Sequence, residues 1–326
     1  MRALITGISG FVGGHLAEHL LDSGDEILGC SPDGAWTAST PEAIRRRVEV
    51  LEWDLARDDG LGEAARRRIG LFRPEAVYHL AAISVPKHCG EDQPTPEAVA
   101  INVEGTRRVL ELVRTTASSA RVLFVSSCHV YAPVPLGAPR VAEDAPLGPV
   151  AAYGRTKLAA EEHLRAAARD WRCDAIVVRA FQHAGPGQGP EMMLSQWARQ
   201  LARPGPQPLF VQTRDAHLDL TDVRDVVRAY RLLIQRAERG GVYNVGSGIN
   251  RTSGEVVDLL REIAGSSRPI VELRPGPKQD PIADVARLTR ATGWRPAVPL
   301  EQTVSDTLAW WRRRVAAEVP NSRQQP

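Results

Sequence analysis

The chain has 326 residues, 43% hydrophobic and 25% charged, which suits one large α/β unit or two closely packed parts. Lys and Arg number 41 against 39 Asp and Glu, and a formal net charge of +2 supports neither a nucleic-acid nor a membrane-surface role. The runs Arg45-Arg46-Arg47 and Arg66-Arg67-Arg68 read as solvated faces of helices or loops. Cys30, Cys89, Cys128 and Cys173 are scattered, without metal-ligand spacing, and fit reduced thiols in a cytoplasm. No leader-like segment opens the chain, and no apolar run approaches the roughly 20 residues of a membrane helix. A cytoplasmic chain with no membrane segment and no metal is expected.

In chain order, Arg2–Thr6 reads as an apolar strand running into glycines. Residues 12–23 follow with helical spacing, Val12, Leu16, Leu20 and Leu21 sharing a face. Further strands are expected at 26–30, 48–51, 76–80, 121–126 and 174–179, with helices at 97–116 and 151–169. Such alternation implies parallel strands and crossover helices on both faces of one sheet, a doubly wound α/β fold of the Rossmann type. After Gln182, Pro and Gly cluster at 185–190 and 203–208. Later elements are shorter: a strand at 242–245, a helix at 253–263, a strand at 270–273 and a closing helix from 300 to 317. The expected division is a dinucleotide-binding part at 1–180, a smaller C-terminal α/β part at 181–319 that binds substrate, and a frayed tail at 320–326.

The first strand ends in Gly7-Ile8-Ser9-Gly10-Phe11-Val12-Gly13. Glycine permits the tight turn and lets backbone approach a pyrophosphate. A helix starting near Val12 aims its free N–H groups at that anion. Position between a strand and an amphipathic helix turns a weak glycine pattern into a dinucleotide site. Strand two ends in Gly29-Cys30-Ser31-Pro32-Asp33, with small neutral residues where an acid would select NAD, so NADP is favoured over NAD. Asp54, in Trp53-Asp54-Leu55, suits either an acceptor for an adenine amino group or a helix N-cap. Leu80, Ala81 and Ala82 are small enough for a flat cofactor to cross the sheet edge.

Tyr153-Gly154-Arg155-Thr156-Lys157 places a phenol and an ammonium on one helix face. A phenol of pKa near 10 needs a neighbouring cation to exchange protons at neutral pH. Strand five runs into Ser126-Ser127-Cys128-His129-Val130-Tyr131, and the carboxyl end of a central strand is where open α/β sheets bind ligands. Glycine turn, strand-end serine and YxxxK occur in one consistent order.

These segments, with Ile101-Asn102-Val103-Glu104-Gly105-Thr106, resemble the extended short-chain dehydrogenases/reductases over nearly the whole chain. The resemblance implies catalytic roles for Ser127, Tyr153 and Lys157, with Lys157 also on the nicotinamide ribose. It implies cofactor contacts at Gly7, Gly10, Phe11, Val12, Gly13, Asp54, Leu55, Leu80, Ala81 and Ala82. The segments 179–188, 219–225, 243–248 and 292–296 are similar to the GDP-mannose-derived branch, its 4,6-dehydratases and its GDP-4-dehydro-6-deoxymannose reductases, the reductases most. A nucleotide sugar, GDP-linked, is the implied substrate, and a homodimer paired through helices 97–116 and 151–169 the implied assembly. Departures are His129 where the dehydratases carry Glu, Gln182 where Asn is usual, and Leu218 where Arg is usual. His129, Gln182, Arg214 and Arg274 are the candidate substrate contacts. The expected reaction is reduction of a nucleotide-linked 4-keto-6-deoxy sugar by NAD(P)H. Alternatives are a 4-epimerase or 4,6-dehydratase that recycles NAD(P)+, and a non-catalytic dinucleotide-binding relative.

Overall fold

In the computed structural model, residues 1–37, 40–117, 119–137 and 139–318 are described. The tail at 320–326 lies outside them. Apolar runs become seven parallel strands: Arg2–Thr6 (β1), Glu26–Ser31 (β2), Glu49–Glu52 (β3), Ala76–His79 (β4), Arg121–Ser127 (β5), Ala175–Ala180 (β6) and, after two strands introduced below, Val242–Val245 (β9). Their order is β9-β6-β5-β4-β1-β2-β3. Strand order reverses between β1 and β4, so the connections leave a crevice above the carboxyl ends there.

Alternate strand residues feed two cores. Ile5, Tyr78, Leu123 and Ile176 meet Leu16 and Leu20 of Phe11–Asp22 (α1) and Val226, Tyr230 and Leu233 of Val223–Arg236 (α6). Leu4, Leu28, Val77 and Phe124 meet Ile69 of Glu63–Phe72 (α2), Val109 and Val113 of Gly105–Thr116 (α3), and Leu164 of Ala152–Asp170 (α4). Each such side chain contributes about 1.5–3 kcal/mol on burial.

A third core belongs to the C-terminal part. Leu194 and Trp197 of Met193–Ala202 (α5) and Leu218 and Leu220 of Ala216–Asp222 (β8) pack with Val256 and Leu260 of Ser253–Ala264 (α7) and with Leu308 and Trp311 of Leu300–Glu318 (α8). Gln182–Ala184 (β7) pairs in parallel with β8 from Leu220 to Asp222, so the chain crosses into this part directly beyond β6.

The two parts are not cut at a single residue. α6 covers one sheet face and β9 adds the seventh strand beside β6, although both follow residue 180. Residues 223–236 are a helix although Arg224, Asp225, Arg228, Arg231 and Arg236 interrupt the apolar run. Their period is helical all the same, and the Asp222 side chain caps the start by accepting from Arg224 N at 2.8 Å. The single helix expected over 97–116 is three pieces: a short turn at Pro96–Ala98, a π-helical stretch at Val99–Glu104, then α3. The wide turn buries Asn102, a placement no helical period predicts.

Candidate active site

A cavity of about 620 Å³ opens over the crevice. Its lining includes Gly7, Gly10, Phe11, Val12, Gly13, Asp54, Leu55, Leu80, Ala81 and Ala82 at one end, and Ser127, His129, Tyr153, Lys157 and Gln182 at the other. The sequence candidates thus converge there, apart from Arg214 and Arg274, which are not among the lining residues. Arg214 pairs with Asp258 at 2.5 Å, and Arg274 follows the outer strand Ile270–Glu272.

At the glycine end, Gly7 has φ 71°, a left-handed conformation, and a Cβ there would lie 2.7 Å from Ala81 N. A Cβ on Gly13 would lie 2.3 Å from Gly7 O, so the helix start sits on the turn with no room for a side chain. Gly10 caps α1 without a side-chain hydrogen bond, leaving the first-turn N–H groups to a ligand. Glycine cradle, free donors and the small, mostly apolar surface of Leu80, Ala81 and Ala82 fit a dinucleotide. Asp54 caps no helix: its Oδ1 accepts from Ala56 N at 2.9 Å in a turn, and α2 starts later, after Gly62. At the end of β2, Ser31 Oγ donates to Asp33 Oδ1 at 3.0 Å, and Asp33 also accepts from Ala35 N at 3.2 Å. Asp33 is therefore committed to its own turn, and Cys30, Ser31 and Pro32 line the cavity.

At the other end, Ser127 terminates β5 and its Oγ accepts from His129 N at 3.2 Å. Tyr153, in the first turn of α4, is half-buried at the cavity wall. Burial pushes its pKa up and a hydrogen-bonding interaction with Ser127 pulls it down. Lys157, 3% exposed, donates from Nζ to Val125 O at 2.8 Å and sits 5.0 Å from the Phe124 ring centroid. Desolvation lowers it from the usual lysine value to about 8. Lys157 is the neighbouring cation that the sequence offers for lowering the Tyr153 pKa. In this geometry the ammonium faces the strand carbonyl, and the downward pull on Tyr153 comes from Ser127. The His129 ring meets Tyr153 edge-on at 5.8 Å, and burial holds it below the ordinary histidine range. Gln182 Nε2 donates to Asp280 at 3.0 Å, which orients its amide at the cavity wall.

Residues the sequence did not single out hold these groups in place. Asn102 receives Ile83 N at 2.8 Å and donates to Thr156 Oγ1 at 3.0 Å, tying the loop after β4 to the helix that carries Tyr153 and Lys157. His79 bridges Thr6 at 2.7 Å and Thr106 at 3.0 Å; full burial drives it down to about 3, so it is neutral. Glu161, fully buried one turn beyond Lys157, accepts from Ser126 Oγ at 2.6 Å and pairs with Arg179 at 3.0 Å. Its i+4 offset from Lys157 was the available signal, but a charged residue on an Ala-rich helix reads locally as exposed.

Together, a glycine-lined dinucleotide cradle leading into a Ser–Tyr–Lys cluster defines an NAD(P)-dependent enzyme of the extended short-chain dehydrogenase/reductase type. The chain belongs to the NAD dependent epimerase/dehydratase family, which residues 3–246 match. It is 32% identical to GDP-6-deoxy-D-mannose reductase of Pseudomonas aeruginosa, over 97% of this chain and 99% of that one. UDP-glucose 4-epimerase of Mycolicibacterium smegmatis is 27% identical over 96% of this chain and 99% of its own length. Among solved structures, RMD from Pseudomonas aeruginosa complexed with NADPH superposes with a TM-score of 0.79 at 31% identity, covering 96% of this chain and 99% of that one. The doubly wound fold and family expected from the sequence are thereby established. Among the described residues no helix is long and apolar enough to cross a membrane.

Proposed function

We propose that the protein reduces a nucleotide-linked 4-keto-6-deoxy sugar, GDP-linked, at the expense of NADPH. The observation that carries the reading is the likeness, over nearly both full lengths, to a GDP-6-deoxy-D-mannose reductase. Tyr153 stands at the cavity wall in a hydrogen-bonding interaction with Ser127, placed to donate its proton to a carbonyl oxygen. His129 supports the same reading, since a neutral imidazole stands where a dehydratase has its carboxylate. The 32% identity to a GDP-6-deoxy-D-mannose reductase over nearly both full lengths supports the substrate class. The neutral end of β2 supports NADPH over NADH.

When bound, the nicotinamide dinucleotide supplies the hydride. In this reading the chain does the rest. Ser127 Oγ holds the carbonyl oxygen within reach of Tyr153, and Tyr153 Oη passes its proton to that oxygen. Lys157 holds the nicotinamide ribose through its ammonium. Backbone N–H groups at the start of α1 hold the diphosphate, Leu55, Ala81 and Ala82 flank the cofactor, and Gln182 and His129 contact the sugar. A cytoplasmic homodimer paired through residues 97–116 and α4 completes the proposal. Val99 and Val150, exposed beside these helices, support that face.

The test is absorbance of reduced nicotinamide with purified protein, NADPH and GDP-4-keto-6-deoxymannose. Cofactor consumption that falls at least about 100-fold in Tyr153→Phe is expected. Absence of consumption, with tightly held NAD(P)+ released on denaturation, favours the 4-epimerase or 4,6-dehydratase reading. That reading rests on relatives such as dTDP-glucose 4,6-dehydratase of Streptomyces griseus, 29% identical over 95% of this chain. Turnover unaffected by Tyr153→Phe would refute the assigned chemistry.

A further inference from the structure

Lys157 is an ammonium in a nearly dry place. Its Nζ has one hydrogen bond, to the Val125 carbonyl, and an aromatic face beside it. Among the described residues no carboxylate lies within ion-pair distance of it. Yet α4 sets a fully buried carboxylate, Glu161, one turn away on the same face. Glu161 is tightly held. Ser126 Oγ reaches Oε1 at 2.6 Å, Arg179 Nε reaches Oε1 at 3.1 Å, and Arg165 reaches Oε2 at 2.9 Å. Arg179 is fixed in turn by the Glu143 carbonyl at 2.9 Å and by the Tyr131 ring at 4.9 Å. A buried ion pair with this many partners sets geometry more than it adds stability.

We propose that Glu161 is a positioning residue of the reaction centre: its buried carboxylate is the counter-charge for the Lys157 ammonium and the anchor, through Ser126, of the strand end that carries Ser127. The inference rests on Lys157 belonging to the reaction centre. Groups facing Lys157 come from each packed element. Glu161 and Tyr153 share its helix, Cys89 comes from the loop after β4, His79 from β4 itself, and β5 contributes only the Val125 carbonyl, the Phe124 ring and two serines. Burial opposes the charged form of Lys157, while Cys89 and then Glu161 favour it. His79 is neutral and Cys89 a thiol, which leaves the Glu161 carboxylate, paired with Arg179 and Arg165, as the acidic group on the favourable side. Replacing that carboxylate by an amide leaves Lys157, Arg179 and Arg165 together without it.

The chain contains only three lysines, Lys87, Lys157 and Lys278, so lysine titrations can be followed one by one. The experiment is heteronuclear NMR of full-length protein labelled at lysine Cε and Nζ, in the native sequence, Glu161→Gln and Glu161→Asp, with Lys157→Met for assignment. Glu161→Gln is expected to move the Lys157 titration down by about one pH unit or more, and Glu161→Asp to leave it nearly in place. Lys87 and Lys278 should not move in either variant. A Lys157 titration unchanged in Glu161→Gln overturns the proposal, because a merely structural glutamate would cost stability without moving it. Should Glu161→Gln alone not fold, the double variant Glu161→Gln with Arg179→Met is compared with Arg179→Met alone, and a downward shift of Lys157 between those two, or its absence, decides. The titration is a property of the chain without substrate, so failure of the reductase reading would leave this test standing.

Discussion

Gly154 lies between Tyr153 and Arg155, and its missing side chain lets α4 approach the turn after β5. A Cβ at 154 would stand 2.2 Å from His129 O, 3.0 Å from His129 C and 2.8 Å from Pro149 Cβ. Non-bonded carbon contacts settle at roughly 3.5–4.0 Å, so Gly154→Ala must open this contact by about 1 Å. The nearest obstruction is backbone, which cannot rotate away. The displaced turn carries His129, and Ser127 immediately precedes it, while the displaced helix carries Tyr153. The substitution therefore separates the two groups proposed to share one substrate oxygen. A misplacement of about 1 Å costs on the order of 100-fold in rate, and overpacking of this kind costs about 1–3 kcal/mol of stability. Steady-state NADPH oxidation and a thermal melt, run side by side, check both numbers. Gly14→Ala is the control: it meets nothing within 4 Å and sits inside α1, where alanine gains up to about 1 kcal/mol. Wild-type kcat and melting temperature in Gly154→Ala would refute the close-approach reasoning.

Gly13→Ala places its Cβ against Gly7 O and Ile8 O, both backbone, so NADPH affinity measured by fluorescence should fall at least about tenfold while Gly14→Ala binds normally. Lys157 loses its proton through about pH 8, and with it the positive charge of the proposed hydrogen bond to the cofactor ribose, so the NADPH dissociation constant should rise above pH 8 by up to about tenfold per unit. A flat profile to pH 9.5 would remove Lys157 from the ribose contact. His79 has a native pKa of about 3 against 6.5 in the unfolded chain, so below pH 6.5 the unfolded state binds the extra proton and stability falls with pH. The loss is about 2 kcal/mol between pH 6.5 and pH 5, and denaturant melts of His79→Gln should show a shallower pH slope over that window. Equal slopes would mean that the imidazole ionises in the native state.

Much of this protein is written in short stretches of sequence. β1, the glycine turn and α1 were legible because each requirement is local: an apolar run, backbone freedom at Gly7, and a helical period from Val12. The YxxxK pair was legible because a helix always brings i and i+4 to one face. The strand end at Ser127 followed from alternation, which places carboxyl ends of parallel strands together whatever the sheet order. Tertiary structure decided the rest, since it depends on which distant surfaces bury each other. β9 and α6 return to the first part because an uncovered edge at β6 and an apolar face over α1 are completed by residues some 50 positions further on. Asn102 and Glu161 look like ordinary polar helix residues until the loop after β4 and Arg179 arrive to satisfy them. Arg214 carries the right charge for a diphosphate, yet Asp258 on α7 claims it. A side chain's chemistry is fixed by its residue type, but its partner, its hydration and hence its protonation are set by the packing of segments far apart in the chain.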